Sequence, residues 1–258
     1  MRRPSSPPTA TLLGLPSRMR ACLFDLDGVL TQTATVHAAA WKEIFDSFLK
    51  EQAAESNTPY VAFDAVSDYD AYVDGKSRAD GTRSFLLSRS IDLPEGDVGD
   101  RVDAKTINGV GNAKNAILIR RIRQDGVQAY PGSVRYLRAV RSAGLHTAVV
   151  SSSANCAEVL LAAGIADLFE TRIDGATVTA RRLSGKPAPD TYLAAAAELG
   201  VPPADAAVFE DALSGVQAAR SGGFGFVVGV DRVGQAVALR SNGADIVISD
   251  LAKLLDQR

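Results

Sequence analysis

The amino-acid sequence predicts an α/β fold, in which a parallel sheet carries helices on both faces and an α-helical cap is inserted after the first strand. After residue 130, short apolar runs alternate with helical patterns, which is typical of a parallel sheet. An earlier apolar run at residues 19–24 ends in acidic residues and a glycine, as a buried parallel strand does. A helical stretch separates this run from the rest, so we expect a Rossmann-like core with an insertion.

The elements follow from local patterns. Spacing of apolar residues predicts a helix at 35–52, and weaker patterns predict others at 80–90 and 103–123. Farther along, the predicted helices are 133–143, 155–163, 188–199 and 213–221, and the predicted strands are 145–150, 206–209, 224–228 and 245–248. Gly109 and Gly111 interrupt one helical pattern, which predicts a hinge or a break there.

These elements divide the chain into three regions. Residues 1–18 contain several prolines and serines, so we expect a disordered tail. Two early arginines imitate a signal peptide, but the apolar stretch behind them is short and flanked by proline. Residues 19–33 and 116–258 are the predicted core domain, and residues 34–115 the predicted helical cap domain.

Composition excludes several classes of protein. A chain of 258 residues with 46% hydrophobic residues can bury a core without disulfides. The net charge of −2 argues against a nucleic-acid-coating surface. Two cysteines and two histidines form no zinc pattern, and no apolar run reaches the length of a membrane span. We therefore expect a cytoplasmic monomer that binds neither nucleic acids nor membranes.

Three polar sites follow predicted strands: Asp25 to Gly28, Ser151 to Ser153, and Glu210-Asp211. A fourth, Lys186-Pro187, opens a predicted helix through a loop. In an open α/β sheet such residues collect in one crevice. Unpaired carboxylates there would repel by about 4 kcal/mol per close pair at an effective dielectric near 20. A Mg²⁺ ion with oxygen ligands removes this penalty. The ion, the lysine and the turn amides would together bind a phosphoryl group.

Such a cluster can transfer phosphoryl groups. A carboxylate can attack phosphorus and form an aspartyl-phosphate. A second carboxylate two residues away can exchange a proton with the leaving or entering oxygen. The transfer itself mostly requires in-line positioning and neutralised charge, which these residue types supply.

The motifs DLDGVL, the Ser151 turn, GKPAPD and FEDALSG resemble the four motifs of the haloacid dehalogenase-like superfamily. Further segments, VDGKSRADG and YPG among them, are similar to its β-phosphoglucomutase-like subgroup. The resemblance covers nearly the whole chain after Met19. It implies the superfamily's fold and the conversion of β-D-glucose 1-phosphate to glucose 6-phosphate through a bisphosphate, with Mg²⁺ as cofactor and a small phosphorylated sugar as partner.

The resemblance also implies roles for the acidic residues. Asp25 would be the nucleophile and a metal ligand. Asp27 would be the general acid and base, and its backbone carbonyl would bind the metal. Asp211 would bind the metal, and Glu210 would bind it or hold its waters.

A second set of residues would bind phosphate. Ser151 would hold the transferring phosphoryl group, helped by the amide of Ser152. Lys186 would neutralise its charge, and Asn155 would contact phosphate nearby. A helix-capping turn is the structural alternative for the serines, and an N-cap is the alternative for Glu210-Asp211.

Four residues in or next to the predicted cap are candidates for substrate binding. Thr33 and His37 match hinge positions that orient Asp27 and couple closure to substrate. Arg78 matches the arginine that grips the non-reacting phosphate. Trp41, one helical turn after His37, would belong to the cap core or line the site.

Two departures from the family pattern concern the substrate: Asp74 replaces a lysine, and Gln32 replaces an acid. The main alternative function is a phosphatase that hydrolyses a small sugar phosphate with the same residues. A phosphorylated receiver domain also uses paired acids and a lysine, but it would not need the cap. The intact acids at 25, 27 and 211 argue against a catalytically silent binding protein.

Overall fold

A computed structural model describes residues 10–256 of the chain. Within this range six parallel strands form one sheet in the order β3-β2-β1-β4-β5-β6. The strands are β1 (Ala21–Phe24), β2 (His146–Val150), β3 (Thr171–Ile173), β4 (Ala206–Glu210), β5 (Phe226–Val230) and β6 (Ile246–Ile248). The predicted α/β fold is confirmed.

The register of the sheet brings polar loops together at one edge. Strand β1 lies between β2 and β4, so that Phe24 is opposite both Val149 and Phe209. On the far side of β4, Glu210 is opposite Gly229 of β5. Because all these strands are parallel, their carboxyl ends share an edge, and the loops after β1, β2, β4 and β5 are neighbours.

Helices cover both faces of this sheet. They are α5 (Pro131–Ser142), α6 (Cys156–Ala162), α7 (Gly175–Arg181), α8 (Asp190–Glu198), α9 (Leu213–Ser221) and α10 (Ala236–Ser241). On one face Leu23 belongs to an apolar cluster with α8 and α9. On the other, Phe24 stacks on Phe209 at a centroid distance of 4.5 Å, and Tyr136 of α5 packs against both rings. Short 3-10 helices lie at Thr11–Leu13, Ala166–Leu168, Pro203–Asp205 and Leu251–Leu254.

The inserted unit has its own core. Its helices are α1 (Ala34–Ser56), α2 (Ser67–Tyr72), α3 (Arg78–Ser88) and α4 (Ile107–Asp125). An aromatic cluster of Trp41, Phe45, Phe63 and Phe85 lies inside it, with Phe45 and Phe85 only 4.2 Å apart between ring centroids. In the part of the chain that the structure describes, no helix combines the length and the hydrophobicity needed to cross a membrane.

Both predicted domain boundaries shift. The chain divides into one unit of Met1–Gln32 with Gln128–Arg258 and a second unit of Thr33–Val127. The first boundary therefore falls one residue before the predicted one. The predicted boundary at residue 115 is wrong, because it falls inside α4, which continues to Asp125.

The predicted disordered tail is wrong for residues 10–18. A 3-10 helix at Thr11–Leu13 begins this segment, and Leu13 and Leu15 are buried. The Leu13 carbonyl accepts a hydrogen bond of 3.0 Å from the buried Tyr136 hydroxyl. The apolar residues between the prolines thus pack on the core. The rest of the predicted tail, residues 1–9, lies outside the described residues.

The glycines of α4 do not break the helix. A Cβ atom on Gly109 would lie 2.3 Å from the Ala104 carbonyl oxygen, and one on Gly111 would lie 3.0 Å from Cγ of Arg78. Both glycines therefore permit close packing, and the predicted helix break is wrong, because α4 is continuous from Ile107 to Asp125. The sequence patterns also missed four short elements: α2, β3, α7 and α10.

Candidate active site

The loop after β1 holds the first predicted site residues. The Asp25 amide bonds the Phe209 carbonyl at 3.0 Å, so Asp25 extends the sheet by one residue and its side chain is buried. Asp27 lies two positions later and is partly exposed. Gly28 has a φ of +87°, and a Cβ atom there would lie 1.7 Å from Oδ2 of Asp211. Only glycine fits this close approach of two acidic loops.

Lys186 joins the ends of three strands. Its buried ammonium donates to Oδ1 of Asp25 at 2.6 Å and to Oε1 of Glu210 at 2.5 Å. A third, longer bond of 3.3 Å reaches the Val150 carbonyl. Because Val150 ends β2 and Glu210 ends β4, one lysine links the loop after β1 to both neighbouring strands.

Glu210 is fully buried and held on both oxygens. Besides Lys186, the Tyr192 hydroxyl donates to Oε1 at 2.7 Å, and the Ala212 amide donates to Oε2 at 3.2 Å. Gly215 makes room for this carboxylate, since a Cβ atom there would lie 1.8 Å from Oε1. Sequence reasoning missed Tyr192, because its partner Glu210 lies 18 positions away in the sequence.

The pKa values of Asp25 and Lys186 reflect their burial and the charges around them. Burial raises the pKa of Asp25 well above its usual value, and Glu210 and Asp27 add to this while Lys186 opposes it. Burial alone would lower the pKa of Lys186, but Asp25 and Glu210 outweigh it and raise the pKa above its usual value. One ammonium is therefore shared by competing carboxylates, and a further cation would stabilise their charged forms.

Asp25, Glu210 and Asp211 fit a metal ion. Each offers a carboxylate oxygen, and these oxygens lie within 4.8 Å of one another. Oxygen-only ligands suit a hard divalent cation. Oε1 of Glu210 already accepts two protein donors and Oε2 only one, so Oε2 keeps a lone pair for a metal. The Asp27 carboxylate is outside this group, and the ligand predicted from Asp27 is its backbone carbonyl.

The serine turn follows β2 at the same edge of the sheet. The Ser151 amide bonds the Ile173 carbonyl at 2.9 Å, and the Ser151 hydroxyl accepts the Ser153 amide at 3.1 Å. The Asn155 amide in turn bonds the Ser153 hydroxyl at 3.2 Å. Ser151 is buried, and Ser152 is partly exposed between the two bonded serines. This compact turn presents hydroxyl and amide donors, which are the groups that bind phosphate.

The remaining predicted residues belong to the inserted unit. Thr33 precedes α1, and His37 and Trp41 lie on α1. The ammonium of Lys114 on α4 lies 3.0 Å from Nδ1 of His37 and 4.9 Å from the centroid of the Trp41 ring. Since an ammonium only donates, Nδ1 accepts, and the proton of a neutral His37 is on Nε2. Sequence reasoning missed this buried lysine.

Arg78 begins α3 and is half-buried. Burial lowers the pKa of its guanidinium, and among residues 10–256 no carboxylate pairs with it. An unpaired, partly desolvated guanidinium is well suited to bind a phosphate.

A family model for haloacid dehalogenase-like hydrolases matches residues 19–223. The chain belongs to this family. Within the haloacid dehalogenase-like family, it is 53% identical over 257 residues to the β-phosphoglucomutase of Mycobacterium bovis, with 98% of each chain covered. It is 32% identical to the β-phosphoglucomutase of Bacillus subtilis, with 92% of each chain covered. The family resemblance is therefore confirmed.

A solved structure supports the same family. The β-phosphoglucomutase of Clostridium difficile aligns with a TM-score of 0.71 at 25% identity, over 92% of this chain and 93% of that one. The protein is thus an enzyme of the haloacid dehalogenase type, and its relatives indicate phosphoryl transfer.

Proposed function

We propose that this enzyme is a Mg²⁺-dependent β-phosphoglucomutase, which converts β-D-glucose 1-phosphate to glucose 6-phosphate through a bisphosphate intermediate. The observation that carries the proposal is the buried contact of Lys186 with Asp25 and Glu210, beside the carboxylate of Asp211. Identity of 53% to the Mycobacterium bovis enzyme over nearly the full length supports the same activity.

In this proposal Asp25 is the nucleophile. One of its carboxylate oxygens forms a bond to phosphorus, and the bond from phosphorus to the leaving oxygen breaks. The leaving oxygen takes a proton from Asp27. In the second step a sugar hydroxyl gives its proton to Asp27 and forms a bond to the phosphorus on Asp25. The bond from phosphorus to the Asp25 oxygen breaks, and the Asp25 carboxylate is restored. Lys186 and Ser151, with the amide of Ser152, bind the phosphoryl oxygens throughout.

The metal would be held by the carboxylates of Asp25, Asp211 and Glu210 and by the backbone carbonyl of Asp27. When bound, the dication neutralises charge on the carboxylates and on the transferring group. Lys186 supplies the protein's own positive charge at the same place. Glu210 accepts a hydrogen bond from Lys186 and helps to hold the ammonium beside Asp25. Tyr192 supports Lys186 indirectly, because its hydroxyl donates to Glu210.

A bisphosphate intermediate requires a second anion site, and we assign it to Arg78. Its guanidinium offers several donors to the non-reacting phosphate. Asn155 adds a phosphate contact in the core unit. Thr33, His37 and Trp41 are proposed to position Asp27 and the sugar, and Lys114 holds the His37 ring in one tautomer. Cytoplasmic location and a monomeric state stay predictions.

The decisive experiment supplies β-glucose 1-phosphate with Mg²⁺ and a catalytic amount of the bisphosphate. Glucose 6-phosphate and inorganic phosphate are measured separately. Glucose 6-phosphate as the main product supports the proposal, and α-glucose 1-phosphate is the control for the anomer. Release of inorganic phosphate without isomerised product would instead establish the phosphatase. A parallel screen of hexose and pentose phosphates tests whether Asp74 and Gln32 alter the preferred sugar.

A further inference from the structure

The turn after β5 forms a rigid structure outside the four sequence motifs. Oδ1 of Asp231 accepts hydrogen bonds from the amides of Val233 at 3.2 Å, Gly234 at 2.7 Å and Gln235 at 2.9 Å. The Asp231 amide itself bonds the Ile248 carbonyl of β6 at 2.7 Å. One carboxylate oxygen thus fixes three successive amides, and the side chains at 232 and 235 extend from an ordered backbone.

Arg232 reaches from this turn to the loop that follows β1. Its Nε donates to the Gly28 carbonyl at 2.8 Å, and Nη2 lies 3.4 Å from the Val29 carbonyl. Nη1 bonds the Ser249 carbonyl at 2.7 Å. The guanidinium carbon also lies 3.6 Å from the centroid of the Tyr130 ring. These contacts hold the guanidinium in one orientation, in which it binds the backbone of the nucleophile's loop.

Arg232 contributes most to the position of the Gly28 carbonyl. The Val29 carbonyl also accepts a bond of 2.6 Å from the Ser133 hydroxyl, so its position does not depend on Arg232 alone. Within the described part of the chain, Arg232 is the one hydrogen-bond donor to the Gly28 carbonyl. Loss of the guanidinium would therefore release Gly28 in particular.

Gln235 reaches from the same turn to the second acidic loop. Its side-chain amide donates to the backbone carbonyl of Asp211 at 3.0 Å. Gly28 and Asp211 are the two residues whose close approach leaves no room for a Cβ atom at position 28. The turn therefore contacts both loops at the point where they meet.

We propose that the turn 231–235 is a clamp that fixes the spacing of the two metal-binding loops, with Arg232 and Gln235 as positioning residues. The proposal rests on the metal site of the proposed function. Metal sites require ligand distances correct to about 0.2 Å. Groups that orient ligands without touching the metal typically change its affinity by about 10–100-fold. Neither residue contacts the reacting atoms in this proposal.

The test measures Mg²⁺ binding to the full chain by titration calorimetry, together with thermal unfolding in a chelator. We expect Arg232→Gln and Gln235→Leu each to weaken Mg²⁺ binding by about 10–100-fold. Excess Mg²⁺ should restore most of kcat, which a misfolded protein would not show. Arg232→Lys should bind Mg²⁺ with intermediate affinity, since a lysine keeps the charge but lacks the planar fork.

Arg220→Gln is the matched control. Arg220 also ties a backbone carbonyl to a neighbouring element, with a bond of 3.0 Å from Nε to Gly243, but it has no contact with either acidic loop. It should lower thermal stability without changing Mg²⁺ affinity. If Arg232→Gln fails to fold, the Mg²⁺ affinity of Gln235→Leu tests the clamp instead. We expect this variant to fold, because it loses only one hydrogen bond of a partly exposed side chain.

The outcomes separate the clamp from the proposed function. If the folded Arg232→Gln protein binds Mg²⁺ as tightly as the wild type, the clamp is overturned and the proposed function is not. If Arg232→Gln does not fold, the same result in Gln235→Leu overturns the clamp. Weakened Mg²⁺ binding in these variants, in an enzyme that isomerises no sugar phosphate, supports the clamp and overturns the proposed substrate. A wild-type protein that binds no Mg²⁺ overturns both.

Discussion

The core unit and the inserted unit differ in how their buried and partly buried positive charges are paired. In the core, Lys186 lies 2.6 Å from Asp25 and 2.5 Å from Glu210, so an ammonium is surrounded by carboxylates. In the inserted unit, Arg78 is half-buried, and no carboxylate among residues 10–256 pairs with it. The carboxylates of the core cluster therefore outnumber its ammonium group, while the guanidinium of Arg78 has no carboxylate partner. A metal ion would relieve the first and a phosphorylated substrate the second.

The largest effect should come from the core. Asp25→Asn keeps the shape of the side chain but removes the nucleophile, and we expect kcat to fall by about 10⁴-fold or more. Measurement of glucose 6-phosphate formation checks this. Trapping of radioactive phosphate on the wild-type protein, and not on Asp25→Asn, would show that the covalent intermediate forms there. Full turnover by the variant would contradict the covalent mechanism.

In the inserted unit, Arg78→Gln should raise KM for the bisphosphate by about 10–100-fold, because a hydrogen bond to a charged group contributes about 1.5–3 kcal/mol. Arg78→Lys should lie between, since it keeps the charge but not the planar fork. Arg83→Gln is the control on the same helix, because Arg83 already pairs with Asp80 and Glu95. Equal KM values for all three variants would show that Arg78 binds no phosphate.

The burial of Asp25 in the core predicts a dependence of stability on pH. In the metal-free protein, burial raises the pKa of Asp25 above its unfolded value of about 3.8. Charged Asp25 therefore opposes folding. The cost is absent below the unfolded pKa, grows as pH rises towards the folded pKa, and is constant above it.

Asp25→Asn removes this cost, so the variant should be more stable than the wild type at neutral pH. The difference should vanish in acid. Urea unfolding in a chelator at several pH values measures it, and Asp125→Asn, at an exposed position, is the control. A variant less stable than the wild type at neutral pH would show that Lys186 fully compensates Asp25.

The smallest effect on activity should come from loss of the hydrogen bond that holds Glu210, the partner of Lys186. Tyr192→Phe removes one of the hydrogen bonds to Glu210, with an expected loss of about 1 kcal/mol in stability and a fall in kcat of less than about 10-fold. Tyr136→Phe is the matched control, since its equally buried hydroxyl bonds Leu13. It should lose similar stability and keep its turnover. The same kcat in both variants would remove Tyr192 from the active site.

The sequence predicted the strands that have clear apolar runs, such as β1 and β2. It missed β3 at Thr171–Ile173, because three residues with an exposed Arg172 form no apolar run. Pairing with β2 defines this strand. Helix α7 has the sequence GATVTAR, in which valine and threonine do not favour a helix. Its Asp174 side chain caps it by accepting the Thr177 amide at 2.9 Å.

The candidate site also contains residues that a local sequence pattern predicted and residues that only tertiary contacts reveal. Asp25, Lys186 and Asp211 stand in motifs, and their predicted roles remain proposals. Tyr192, Lys114 and Arg232 were not predicted as site residues, because each acts on a partner that is distant in the sequence. Those partners are 18, 77 and 204 positions away. No local pattern reports a contact across such separations.

The sequence by itself determined the types of chemical group and the places of most of them at the ends of strands, because the change from an apolar run to polar residues indicates where a buried strand stops. Only the tertiary structure decided which charges share a hydrogen bond. Electrostatic energy depends on distance in space and on burial, and the folded sheet sets both when it brings Lys186 against Asp25 and Glu210 and leaves Arg78 without an acid.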